Sequence, residues 1–206
     1  MRWRAESSNS ELDVTCPDSE HFLKELRVQG YKLFDNTDKP FNLNIVGWRY
    51  KHGRVNRYDD FIALYYKIGD FWKEVSWRAT TRPGLPYLKN PINSRGAAIL
   101  CPGQYRHSYA IGAHKGRYEA LIQVGKVRVY RDNNYDGKID LTEASIDEGY
   151  FGMNIHRGGL LDTYVNKNSA GCQVFQSREG FETFMQYVRS ASKYWGKTFT
   201  YTLLEF

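Results

Sequence analysis

The apolar segments between Ala97 and Tyr130 are short, and each ends at or near a glycine. Ala97–Leu100, Ser108–Gly112, Glu119–Gln123 and Lys126–Tyr130 are too brief to bury one face as helices, which need about 10 residues or more of 3.6-residue periodicity. Segments of this length bury apolar surface by pairing side by side, so they read as strands of a sheet or barrel. Composition agrees, because 16 Tyr and 11 Phe alongside 18 Gly suit strands and shaped turns better than a helical bundle. The expected fold is mainly β (α+β), a sandwich or barrel with a few peripheral helices.

The remainder of the chain fits around that sheet. Residues 7–19 are polar, carry Pro17 and read as an arm leading to a helix start; Phe22, Leu23 and Leu26 then form an apolar stripe that Gly30 closes. Phe41–Tyr50 alternates as a strand, Tyr58–Lys67 has helical spacing at Phe61, Leu64 and Tyr65, and Phe71–Ala79 reads as a second strand. Turn residues crowd residues 81–96, which read as a long loop and a candidate hinge. It divides an N-terminal extension, residues 1–82, packed on or completing the sheet, from a main domain over residues 83–206, within one compact unit. Near the end, Phe181, Phe184, Met185, Val188 and Ala191 share a helical face between a Ser177 cap and Gly196, and Thr198–Leu204 is a terminal strand.

Bulk properties narrow the function classes. A chain of 206 residues supports one good core rather than two. Cys16, Cys101 and Cys172 cannot all pair with one another and none sits in a metal-type pair, so no disulfide framework is expected. No stretch of about 18 apolar residues occurs, and the basic start is followed by polar residues. The expectation is therefore no transmembrane segment, no signal peptide and synthesis in the cytoplasm. A formal charge of +6, spread from Arg2 to Lys197, favours an anionic partner. It does not choose among nucleic acid, anionic lipid and the acidic polymers of a bacterial envelope.

The chemistry is concentrated in the second half. Gly152-Met153-Asn154-Ile155-His156 and Ser169-Ala170-Gly171-Cys172-Gln173-Val174 bracket a loop containing Gly and Asn. A thiol with a free pKa of about 8.5 needs a base or a positive neighbour to be nucleophilic at neutral pH, and His156 is a suitable partner for Cys172. Gly171 permits backbone geometry that would aim nearby N–H groups at a forming oxyanion. Taken without the surrounding pattern, a free cysteine is more often a small buried residue.

Ile155-His156 followed by Ser169-Ala170-Gly171-Cys172 resembles the catalytic signature of the L,D-transpeptidase (YkuD-like) family, a His, a loop of closely similar length, then Ser/Thr-x-Gly-Cys. The resemblance spans about residues 95–176. It implies a β-rich sandwich or barrel, Cys172 as the acylated nucleophile, His156 as its base, Ser169 as a loop-shaping and polarising residue, and the backbone at Gly171 and Cys172 as the oxyanion site. It also implies the stem peptides of peptidoglycan as substrate. Two positions depart from the family pattern. Ala170 stands where many members have His, and Val174 where most have an Arg suited to a substrate carboxylate. Arg157 is a candidate substitute. The chain also resembles bacteriophage-encoded proteins with the same pattern, which implies lysin-like hydrolysis of cell-wall peptide after holin release or delivery by a virion.

A second motif precedes this pair. Asp132, Asn134, Asp136, Lys138, Asp140 and Glu143 occupy the ligand positions of a 12-residue EF-hand loop, with Gly137 at its sharp turn. A strand over 127–131 leads in where a helix is usual, and Leu141–Ile146 would begin an exit helix. A fixed structural Ca²⁺ is expected; an acidic turn without metal is the alternative.

His107, His114 and His156 lack the ligand spacing of a zinc site. His114, Lys115 and Tyr118 are candidates to line the substrate groove, with only one of His107 and His114 facing it, because an odd step along a strand reverses the side chain. Trp48, Trp72 and Trp77 would form either core or a stacking platform. The expected function is a peptidoglycan-directed cysteine enzyme. The alternatives are a non-enzymatic, calcium-stabilised virion or cell-wall binding protein that retains the fold, and a basic nucleic-acid-binding protein without a recognised motif.

Overall fold

The computed structural model describes residues 14–206. The first part of the polar arm, residues 7–13, lies outside the described residues. The chain is mainly β. Eight strands close into a barrel: β1 (Asn44–Arg49), β2 (Asp60–Ile68), β3 (Phe71–Thr80), β5 (Gly103–His114), β6 (Tyr118–Gln123), β9 (Ile155–Arg157), β10 (Gln173–Phe175) and β11 (Thr198–Glu205). Their order around the barrel is β1-β11-β5-β6-β9-β10-β3-β2. Strands β4 (Ala97–Leu100), β7 (Val127–Asp132) and β8 (Asp147–Gly149) form a separate three-stranded sheet. Residues 1–82 thus contribute β1 to β3 to the same barrel as the strands that follow.

The segment 58–67 corrects the helical expectation. Phe61, Leu64 and Tyr65 belong to β2, which pairs with β1 and β3 along its length and is buried on both faces over its first seven residues. A strand covered on both sides carries a nearly continuous apolar run, which periodicity does not separate from a buried helix. Ile62 and Leu64 turn toward the inward cluster, while Phe61, Ala63 and Tyr65 meet α1 (Ser19–Gln29) outside. That helix starts at Asp18, whose carboxylate accepts the His21 N–H, and buries Phe22 and Leu26. The Phe22 ring stacks on Tyr65 with 4.2 Å between centroids.

The loop expected over 81–96 contains a short helix, α2 (Leu85–Lys89), admitted by Pro86 in its first turn. Helix α3 (Arg178–Trp195) starts at Ser177, whose hydroxyl accepts the Gly180 N–H, and packs Phe181, Phe184, Met185, Val188 and Ala191 into the inward cluster. That cluster draws on every barrel strand and includes Phe175, in the strand whose first residue follows Cys172.

Candidate active site

Strands β9 and β10 run parallel and adjacent, with Ile155 opposite Gln173 and Val174 opposite His156. Alternation turns Ile155 and Phe175 into the core and His156 to the other face. Val174 on that face clusters with Tyr58 and Val165, and Cys172 packs against the three. Nucleophile and base candidates thus lie on neighbouring strand ends and the same side of the barrel wall.

Hydrogen bonds fix the protons of both site histidines. His156 Nδ1 lies 2.8 Å from the Arg157 carbonyl, which only accepts, so Nδ1 carries the proton and Nε2 keeps its lone pair. The Gln123 N–H donates to Asn154 Oδ1 at 2.9 Å, which orients the amide so that Asn154 Nδ2 donates to His114 Nδ1 at 3.1 Å. His114 accordingly holds its proton on Nε2. Tyr118 Oη makes long contacts of 3.4 Å to His156 Nδ1 and the Arg157 carbonyl, and the Arg157 guanidinium lies over the Tyr118 ring at 4.3 Å. Arg157 is therefore stacked on Tyr118. The β5–β6 hairpin that carries His114 opposite Tyr118 brings both to His156. His107 is exposed and hydrogen-bonds Thr198 instead.

Ser169 is fully buried; its hydroxyl donates to the Cys172 carbonyl at 2.8 Å and accepts the Gly171 N–H at 3.1 Å. These two bonds brace the loop and occupy the Gly171 N–H. The backbone N–H groups of Asn154 and Cys172 are the ones that face the sulfur. Gly171 adopts φ +135°, and a Cβ there would stand 2.4 Å from the Ala98 carbonyl, so only glycine fits.

Burial disfavours a charge on each of His156, His114 and Cys172. Burial pushes the His156 imidazole down to about 3, helped by His114 and opposed by the hydrogen bond to Arg157. Burial also lowers His114, with Lys115 adding to it. The Cys172 residue keeps partial exposure, yet its thiol is surrounded closely enough that burial raises it above its ordinary value. The thiol donates to the Gly152 carbonyl at 3.3 Å. Among the described residues, no hydrogen bond joins it to His156. An imidazolium–thiolate pair, the arrangement that would activate the thiol in advance, is therefore not the resting state.

Asn154 and Gln173 were not singled out in sequence, although each neighbours a residue that was. Gln173 is fully buried; it donates to the Gly171 carbonyl at 3.2 Å and accepts from the Tyr201 hydroxyl at 3.1 Å. A chain of hydrogen bonds thus runs from β11 to the loop before Cys172.

The acidic loop joins β7 to β8, and its exit is a single 3-10 turn, Glu143–Ser145, in place of the expected helix. Pairing of Asp147 with Val129 leaves no room for a longer one. Gly137 turns with φ 80°, the Asp136 and Lys138 N–H groups donate to Asn134 and Asp136 side chains, and the Asp140 N–H donates to Asp132. Burial raises the Asp132 carboxyl, and the charges of Asp140 and Asp136 add to this against backbone donors. The backbone thus has the turn the motif requires. Among the described residues, however, no group of three or more His, Cys, Asp or Glu side chains is gathered closely enough to hold a metal ion.

No family model, curated protein or solved structure matches the chain. Among the described residues, no helix is long and apolar enough to cross a membrane.

Proposed function

We propose that the protein is a peptidoglycan-directed cysteine enzyme of L,D-transpeptidase-like fold that cleaves stem-peptide bonds through a Cys172 acyl-enzyme. The observation that carries this reading is the parallel β9–β10 pair, which sets His156, with a free Nε2, beside the strand end bearing Cys172. Substrate entry would displace the Gly152 contact and let His156 Nε2 take the thiol proton as sulfur attacks the peptide carbonyl. Loose hydrogen bonds before substrate arrives are usual for such pairs. The Cys172 N–H would stabilise the oxyanion. On collapse, the C–N bond breaks and the proton passes from His156 to the leaving amine. Water then attacks the thioester with His156 as base again, returning the thiol; an amine acceptor in place of water would give transfer. Without a preformed thiolate, binding energy must drive the activation, which suits a selective enzyme.

Ca²⁺ held by Asp132, Asn134, Asp136, Asp140, Glu143 and the Lys138 carbonyl would stiffen the β7–β8 connection by drawing the acidic side chains together. Action on the cell wall would follow release by a holin or delivery by a virion.

The thiol bonded to Gly152 and raised by burial favours a second reading, a wall-binding or virion protein that keeps the fold without catalysis. Incubation of purified sacculi with wild type and Cys172→Ala separates the two. The enzyme reading expects muropeptide fragments from wild type alone; the binding reading expects sacculus association from both and fragments from neither.

A further inference from the structure

We infer that the cavity between the three-stranded sheet and the Ser169–Cys172 loop is a carboxylate subsite, with Arg95 and Arg131 as its cationic wall. The ligand group would be a free carboxylate of the peptide acyl donor, so the inference rests on the peptidoglycan reading above. The cavity encloses about 370 Å³ and is lined by Tyr87, Arg95, Arg131, Tyr150, Phe151 and Ala170 among others. That volume suits a short peptide segment. Ala170 directly precedes the Gly171–Cys172 pair, and Phe151 precedes Gly152, whose carbonyl holds the thiol. The wall therefore includes Ala170, two positions before Cys172, and Phe151, the neighbour of the residue that holds the thiol.

The charge balance of this wall points to an anion. Arg131 donates through Nε and Nη2 to Asp147 Oδ2 at 3.2 and 3.0 Å, and Arg95 Nη2 reaches the same oxygen at 2.8 Å. Two guanidinium groups thus share one carboxylate, and one positive charge is left over. Among the described residues that line the cavity there is no carboxylate. The Arg131 guanidinium also rests over the Phe151 ring at 4.7 Å, and its Nη1 donates to the Gly96 carbonyl at 3.4 Å, so its charge is fixed in place before any ligand arrives. Arg95 is more exposed, with 59% of its side chain accessible, and Asp147 engages one of its nitrogens. It is free to turn toward a second carboxylate. This supplies from β7 and the α2–β4 connection a group that Val174 does not supply after the cysteine.

The test is calorimetric titration of the Cys172→Ala protein with a synthetic stem peptide and with the same peptide carrying amides in place of its free carboxylates. The free acid should bind roughly tenfold or more tightly than the amide, in line with a charge-assisted hydrogen bond. Adding Arg95→Ala, an exposed change expected to leave the melting temperature unaltered, should weaken the acid and leave the amide unchanged. Equal binding of acid and amide, no binding of either, or unchanged discrimination in Arg95→Ala would each overturn the subsite. Muropeptide release by wild type together with any of these results would leave the enzyme reading standing. Discrimination without release by wild type would overturn the enzyme reading and keep the anion site.

Discussion

The imidazole rings of His114 and His156 are stacked, with 4.0 Å between centroids and 23° between planes. A proton on either ring would set a positive charge against the other in a buried place. Asn154 and the Arg157 carbonyl instead bind the neutral tautomers, and the pair is poised as two uncharged rings, one offering an N–H and the other a lone pair.

Thiol reactivity should follow from this neutrality. With burial holding the Cys172 thiol above its ordinary value and His156 near 3, the iodoacetamide alkylation rate should climb in one step on the alkaline side of a free thiol, with no acid plateau. A plateau reaching down to about pH 5, the mark of an imidazolium–thiolate pair, would contradict the resting state described.

Acid stability should depend on the same ring. The unfolded chain binds the His156 proton near 6.5 and the folded chain only near 3, so the stabilisation is present above 6.5 and drains away as pH falls through that window. The lowered His114 acts in the same direction. Melting temperature should drop on acidification by several degrees, and His156→Gln should flatten the profile; parallel profiles for the two proteins would count against it.

The Tyr201–Gln173–Gly171 chain should position the cysteine loop without touching substrate. Tyr201→Phe removes the donor to Gln173 and should lower kcat by roughly 10- to 100-fold with little change in KM, since a misplaced reacting group is costly. An unchanged kcat, or a rise in KM alone, would contradict a positioning role for this chain. Gly47→Ala should destabilise the barrel by about 1–3 kcal/mol, because its Cβ would overlap the Tyr201 hydroxyl at 1.8 Å.

Calcium should raise the melting temperature and EDTA should lower it, with Asp132→Asn and Asp136→Asn abolishing the difference. Tyr135 inside the loop should sensitise terbium luminescence, which offers a readout independent of stability. An unchanged melt and dark terbium would remove the metal from the account.

The spacing of His156, Ser169, Gly171 and Cys172 was legible because it is local, and so was the glycine whose φ no other residue tolerates. The two strands that flank the His114–Tyr118 turn are legible as short apolar segments, while their pairing is not. Strand β2 has the spacing of a helix in sequence because burial on both faces erases the period that separates strand from helix. The cavity had no signal in sequence: Arg95, Arg131 and Ala170 meet through the β4–β7 pairing and the approach of Gly171 to Ala98. Asn154 and Gln173 look like ordinary polar residues until their buried partners are known.

The central claim is that Cys172 becomes acylated. Acid-quenched mixtures of wild type and a stem peptide, followed by intact-protein mass spectrometry and peptide mapping, test it directly. A transient mass increase equal to the acyl fragment is expected, mapped to the peptide containing Cys172 and absent in Cys172→Ala. Peptide turnover with no adduct, undiminished in Cys172→Ala, would contradict it.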